Sequence, residues 1–257
     1  MRILMVGDAV GRTGRQAVAR LLPGLRRELR LDLVIANGEN AAAGRGITPP
    51  IADEMLRAGV DIITTGNHIW DQKEIIPYLD SAAPILRPLN FPPGVSGRGI
   101  LQEGALTVIN LQGRVFMANI DCPFRVVDRA LADLQPNSII IVDIHAEATS
   151  EKVAMGWYLD GRVSAVLGTH THVGTVDARV LPRGTAFVCD VGMTGARDSV
   201  IGDNVDGVLQ RFLTAMPVRL HPATGPAVLN SVLLDIDDET GRARHIERVD
   251  RETADDQ

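Results

Sequence analysis

Cysteine is scarce: Cys122 and Cys189 are the only two in 257 residues, and they lie far apart. A chain of this length buries roughly three quarters of its unfolded surface and needs no disulfide staples. Two buried, reduced thiols and a cytosolic setting are the expectation. Long apolar runs are missing as well. No stretch approaches the roughly 18 residues of a membrane span, and the opening MRILMVGDAV is broken at Gly7 and Asp8. It therefore reads as a buried first strand and not as a signal peptide. Neither a P-loop nor a GxGxxG fingerprint is present, which excludes ATP or NAD held in those ways. There is no basic excess either, since 26 Lys and Arg face 32 Asp and Glu for a net charge of −6. Nine acids against four arginines crowd residues 235–257, so the rest of the chain is nearly neutral. That body lacks the electrostatic footprint of a nucleic-acid binder, and tight binding of long RNA or DNA is not expected. Arg26, Arg27 and Arg30, interspersed with Glu28, read as a solvated helix face.

What is there is an ordinary globular composition, 45% hydrophobic and 23% charged, with 25 Gly and 14 Pro. Disorder, collagen and repeat arrays are excluded. Short apolar runs alternate with amphipathic stretches. ILMV (3–6) precedes a helical pattern from about Gly14 to Leu31. LVIA (33–36) precedes a helix marked by Thr48 as N-cap and Pro49 at the first position. DIIT (61–64) precedes a third helix near Gln72–Leu79. This βαβαβ opening predicts a parallel sheet with crossover helices. Pro84–Gly99 reads as a long surface loop, and LTVINL with VFMANI across QGR reads as a hairpin. SIIIVDI, VSAVLG and TAFVCDV predict three more strands, with helices near Ser150–Asp160 and Asn204–Thr214. VLNSVLLDID and GRARHIERV predict a closing antiparallel pair. The expectation is one α/β domain over 1–257, ending in the acidic segment 235–257.

Five strand ends carry the chemistry: LMVGD (Asp8), LVIANGEN (Glu39, Asn40), IITTGNH (Asn67, His68), IIIVDIHAE (His145) and AVLGTHTH (His170, His172). Each sets a ligand-type side chain just past the carboxyl end of a strand, the edge where open α/β sheets bind ligands. Singly, each has a plain structural reading. Asp8 can cap the next helix, NGEN can be a turn, and His145 can be a hydrogen-bonded core histidine. His170 and His172, two apart on an extended segment, would point the same way. Five such ends together point to a metal site.

Asp8, Glu39, Asn40, Asn67, His145, His170 and His172 are too many donors for one ion, whereas two four-ligand sites sharing one residue account for all of them. Glu39 suits the shared position, because a carboxylate has two oxygens to divide. Imidazole, carboxylate and amide without thiolate suit iron, manganese or zinc, and argue against a structural zinc site. Two divalent ions against two carboxylates leave a net charge of about +2, which attracts phosphate and brings a bridging water to hydroxide near neutral pH.

The motifs GDAVGRTG (7–14), NGENAAAGRGIT (37–48), TGNHIWD (65–71), DIHAEATSEK (143–152) and GTHTHVGT (168–175) resemble, in order and over nearly the whole chain, the YmdB-like family of calcineurin-type metallophosphoesterases. The resemblance implies a four-layer sandwich of two mixed β-sheets flanked by helices, with a two-metal centre. It implies hydrolysis of 2′,3′-cyclic nucleotides to nucleoside 3′-phosphates by a metal-bridging hydroxide. Asp8, Glu39, Asn40 and His172 would hold one ion, and Glu39, Asn67, His145 and His170 the other, with iron first and manganese or zinc as alternatives. His68 would be the general acid. Val10 stands where the broader superfamily has the histidine of Asp-x-His, and NGEN replaces GDxxD; both departures match the narrower family. Asp71 would orient His68 or cap the next helix, Arg45 would meet phosphate or ribose, and Glu147 would bond an imidazole. His221 and His245 fall outside the motifs.

A phosphomonoesterase or nucleotidase with the same centre, and a metal-stabilised nucleotide- or RNA-binding regulator, are the competing readings. A small phosphodiester or cyclic nucleotide is the expected partner, without a membrane, in a cytoplasmic protein able to form a homo-oligomer.

Overall fold

The computed structural model describes residues 1–134 and 138–253. Asp255 and Asp256 of the acidic segment lie outside them. The first half of the chain runs β1 (Arg2–Val6), β2 (Asp8–Ala9), α1 (Gly11–Glu28), β3 (Leu33–Asn37), α2 (Pro49–Arg57), β4 (Ile62–Thr64) and α3 (Ile75–Leu79). The middle runs β5 (Ile100–Glu103), β6 (Leu106–Gln112), α4 (Pro123–Ala132), β7 (Ile139–His145), α5 (Thr149–Leu159), β8 (Ala165–Thr169), β9 (Arg179–Val180) and β10 (Ala186–Val188). The last part runs β11 (Met193–Ala196), α6 (Val205–Thr214), β12 (Ala227–Leu229), β13 (Ser231–Ile236), β14 (Ala243–Arg248) and β15 (Arg251–Glu252).

Two mixed sheets form the body, in the orders β14-β13-β1-β3-β4 and β5-β6-β7-β8-β10-β9. In the first, β1, β3 and β4 are parallel, and β13 returns antiparallel with Leu4 opposite Leu233. In the second, β6, β7, β8 and β10 are parallel between the antiparallel edge strands β5 and β9. Alternation along each strand produces the layers. Ile3, Met5 and Ile35 face Val108, Ile141, Leu167 and Val188 between the sheets. Leu4, Val6, Val34 and Ile63 pack outward with Leu22 of α1 and Met55 of α2. Val142, Ile144 and Val166 pack outward with Val127 of α4 and Met155 of α5. Helices, sheet, sheet and helices make the four-layer sandwich.

The expected βαβαβ opening and closing antiparallel pair are present, whereas other segments differ. VFMANI is not a strand. Glu151 takes the backbone N–H groups of Arg114 and Val115 at 3.0 and 3.1 Å, and β6 pairs with β5 and β7 instead. Pro84–Gly99 is not simply a surface loop, because Ile85, Leu86, Arg87 and Asn90 are buried. Ile85 bridges to Ile63 of the first sheet, and the Leu89 N–H donates to Asn110 of β6, so the segment straps the sheets together. A third sheet, β15-β12-β11-β2, was not expected; its strands are too short to show a period. The helix ends also move, with α1 spanning Gly11–Glu28 and α3 only Ile75–Leu79. Thr48 stands at the N-cap of α2 without a side-chain capping bond. Of the arginines read as a solvated face, Arg27 and Arg30 are exposed, whereas Arg26 is half-buried and binds Asp61 at 2.7 Å and the Gly59 carbonyl at 2.6 Å. Both cysteines are free thiols; Cys189 is buried, but Cys122 is only half-buried. Among the described residues no helix is long and apolar enough to cross a membrane.

Candidate metal centre

The carboxyl ends of β1, β3 and β4 in one sheet meet those of β7 and β8 in the other. The five motifs therefore converge on one edge of the sandwich. Glu39, Asn40, His68, His170 and His172 line a cleft of about 270 Å³ there, together with Arg45 and Glu147. Beneath it lie Asp8 and His145, both fully buried. Every residue assigned from the sequence is at this place.

His145 Nε2 is the centre of one cluster. It lies 2.9 Å from Glu39 Oε1, 3.0 Å from His170 Nδ1 and 3.1 Å from Asn67 Oδ1. Glu39, His145 and His170 form a group able to hold a metal ion. The chain makes room for it at Gly66, where a Cβ would fall 2.1 Å from the His145 ring and 2.5 Å from Glu39 Oε2. Asp8 Oδ1 lies 3.8 Å from His172 Nε2 and 3.9 Å from His145 Nδ1; the His172 ring is fixed at its other nitrogen. Its Nδ1 donates to the Ile201 carbonyl at 2.7 Å, leaving Nε2 as the nitrogen with a free lone pair. Asn40 spends its amide N–H on the Gly44 carbonyl at 3.0 Å, which leaves Oδ1 as the acceptor toward the site.

Asp8 Oδ1 and Asn40 Oδ1 are buried and have no hydrogen-bond partner among the described residues. A buried acceptor left unmatched costs about 1–3 kcal/mol. Two of them, beside the imidazole nitrogens and the Glu39 carboxylate, fit divalent cations, whose N and O ligands sit at about 2.0–2.2 Å. The fields agree. Burial pushes Asp8 above the usual carboxylate range, against the pull of His172 and His145. Burial also works to raise Glu39, yet the His145 and His68 rings bring it down to about 2. Burial works to lower His145, but Glu39, Asp8 and Asp143 hold it up at about 9. His170, buried beside that cationic ring, drops to about 3. A cation bound at these atoms takes the place of the His145 proton.

The pair His170 and His172 corrects an expectation. The segment is not extended: both residues have positive φ, 98° and 66°, and their rings go to different sides of the site. Left-handed backbone at non-glycine residues costs about 1–3 kcal/mol and needs external support. The support is a buried ion pair that sequence reasoning missed. Lys152 Nζ lies 2.8 Å from Asp190 Oδ2, both fully buried, and the same oxygen accepts the N–H and O–H of Thr171 at 3.1 and 2.7 Å. Asp190→Asn would leave Lys152 charged and unpaired in the interior. It is expected to cost about 3–5 kcal/mol of stability, read from urea unfolding, together with metal content; a loss below about 1 kcal/mol would refute the role.

Other supports were also missed. Thr169 Oγ1 lies 2.9 Å from His145 Nδ1 and donates to Asp143 at 2.7 Å, and Asn37 Nδ2 lies 3.4 Å from the same carboxylate. Burial raises Asp143 to about 6. Asp143 stands two positions before His145 on the same strand, a period-two signal that was available, and Asn37 ends the strand two positions before Glu39. Two weaker assignments find contacts. Asp71 Oδ2 lies 2.8 Å from His68 Nδ1, while Glu74, not Asp71, precedes α3. Glu147 Oε2 lies 3.1 Å from His170 Nε2. His245 is exposed and away from the centre, and His221 is exposed in a neighbouring hollow.

Fold and site together define a metallophosphoesterase, a hydrolase of phosphoric esters. The chain belongs to the family described as YmdB-like protein, whose model matches residues 4–249. It is 48% identical over 254 residues to the 2′,3′-cyclic-nucleotide 2′-phosphodiesterase of Bacillus subtilis, covering 97% of this chain and 96% of that one. A hypothetical protein from Thermus thermophilus superposes with a TM-score of 0.93 at 46% identity, over 99% of this chain and 100% of that one. A phosphatase from Mycoplasma pneumoniae also gives 0.93, at 31% identity over 100% and 95%.

Proposed function

We propose that this chain hydrolyses 2′,3′-cyclic nucleotides, breaking the bond from phosphorus to the 2′-oxygen and leaving nucleoside 3′-phosphates. The observation that carries the reading is the pairing of the converging donor set with His68, which lines the same cleft and is held by Asp71. The B. subtilis relative bears the matching name.

Asp8, Glu39, Asn40 and His172 would hold one ion and Glu39, Asn67, His145 and His170 the second, with iron the first candidate and manganese or zinc the others. Bound ions supply positive charge for the phosphate and acidify a water at neutral pH. The chain's own residues do the rest. Water oxygen bonds to phosphorus as the P–O2′ bond breaks, and His68 Nε2 gives a proton to the departing 2′-oxygen. With Nδ1 bonded to Asp71 at 2.8 Å, the ring is held in one orientation. The Glu39 carboxylate, accepting the His68 backbone N–H at 3.0 Å, ties the acid to the donor cluster. Glu147 fixes the His170 ring, and Arg45 meets phosphate or ribose from the rim.

Manganese-loaded protein incubated with 2′,3′-cyclic AMP, with product isomers resolved by chromatography, should release 3′-AMP and no 2′-AMP. It should turn over this diester faster than 3′-AMP itself. Release of 2′-AMP, or preference for the monoester, would overturn the reading.

A further inference from the structure

Beside the cleft lies a second hollow of about 400 Å³. Gly44, Arg45 and Asp203 line both, so the two adjoin along one shared edge. Three arginines border the hollow: Arg45, Arg211 and Arg219. Elsewhere Arg15, Arg26, Arg162 and Arg248 are each paired with a carboxylate at 2.7 to 3.0 Å. The guanidiniums of the hollow have no such partner among the described residues, and Asp203 is the one carboxylate in the lining. Three cations facing one anion leave an excess of positive charge beside a phosphate site.

The hollow is built on fixed backbone. The Asn204 N–H donates to the His221 carbonyl at 2.9 Å and the Ala223 N–H to Gly202 at 2.7 Å, which pins the strip carrying Arg219. Gln72 donates to the Arg45 carbonyl at 2.9 Å, and Asn40 holds Gly44, so the Arg45 loop is tied to a candidate metal ligand. Leu220 and Pro222 supply an apolar wall. Guanidiniums pair with phosphate oxygens two at a time and also stack on bases, and an apolar wall accepts a base face.

We infer that this hollow is a subsite for the nucleotide on the 5′ side of the cyclic phosphate. The preferred substrate class is then an oligonucleotide end with at least one further phosphate, not a free nucleoside cyclic phosphate. The inference rests on the cyclic-phosphodiesterase reading. It is compatible with a nearly neutral body, because only one additional unit is gripped.

Binding separates the two. By titration calorimetry on the full chain, loaded with manganese, the ligands are adenosine 3′-phosphate, adenosine 3′,5′-bisphosphate and the dinucleotide CpA 3′-phosphate. The bisphosphate is expected to bind about tenfold tighter than the monophosphate, from one charge-assisted phosphate contact, and the dinucleotide tighter again. In Arg219→Gln, and more so in Arg211→Gln/Arg219→Gln, these ratios should fall toward one, with unfolding midpoints checked to show intact folds. Equal binding of mono- and bisphosphate, or an advantage that survives in the double variant, would overturn the subsite. An advantage that stops at the bisphosphate would make it a phosphate pocket and overturn the oligonucleotide assignment. If 2′,3′-cyclic AMP is not hydrolysed yet the ratios behave as expected, the functional reading fails and takes the cyclic-phosphate assignment with it, whereas lost ratios in a protein that does hydrolyse it overturn the subsite alone.

Discussion

His68→Ala is expected to lower kcat on 2′,3′-cyclic AMP by about 10²–10⁴-fold, the usual worth of a general acid, while leaving metal content unchanged. The ring lines the cleft, a quarter exposed, with Asp71 bonded to its Nδ1. What it shares with the cluster is its backbone N–H on Glu39, which alanine keeps. The loss should therefore fall on proton donation and not on ion binding. A substrate whose leaving group needs no proton, such as an aryl phosphodiester, should lose far less. Asp71→Asn, which removes the charge behind the ring but keeps a hydrogen-bonding group, should give an intermediate loss. Metal analysis with steady-state kinetics on both esters checks this. Full turnover in His68→Ala, or an equal loss on both esters, would remove His68 from the chemistry.

Glu39→Ala should be the most damaging single change in the site, with activity falling below that of His68→Ala and metal content dropping by about one ion or more per chain. Glu39 is buried, with Oε1 beside His145 and Oε2 on the His68 backbone. Its removal takes a donor from both proposed ions and also strips His145 of the carboxylate that dominates its charged state. Asn40→Ala is the comparison, since it touches one proposed ion only and should leave the second in place. Metal analysis after gel filtration, with calorimetric titration of Mn²⁺, measures the difference. Two ions bound with unchanged affinity in Glu39→Ala would contradict the shared position.

The alternation of apolar runs with amphipathic stretches determined the central parallel strands, because strands buried on both faces read as continuous Ile, Leu and Val. The donors were equally legible: each sits immediately after such a run, so knowing where a strand ends is enough to place its ligand at the sheet edge. Local pattern carries no information about which backbone groups a distant side chain will claim. VFMANI therefore read as a strand until Glu151, 36 residues on, took the N–H of Val115. The strap at Pro84–Gly99 was hidden likewise, because its burial comes from two sheets that meet only in the folded chain. At the site, the identities of His170 and His172 were plain, but their opposite directions came from left-handed backbone stabilised by Asp190 and Lys152 on separate elements. The sequence by itself determined which donors exist and on which edge they gather. Only the tertiary structure decided how those side chains are aimed and which loops, Arg45 and Arg219 among them, stand beside them, because side-chain direction there depends on long-range hydrogen bonds that no short window contains.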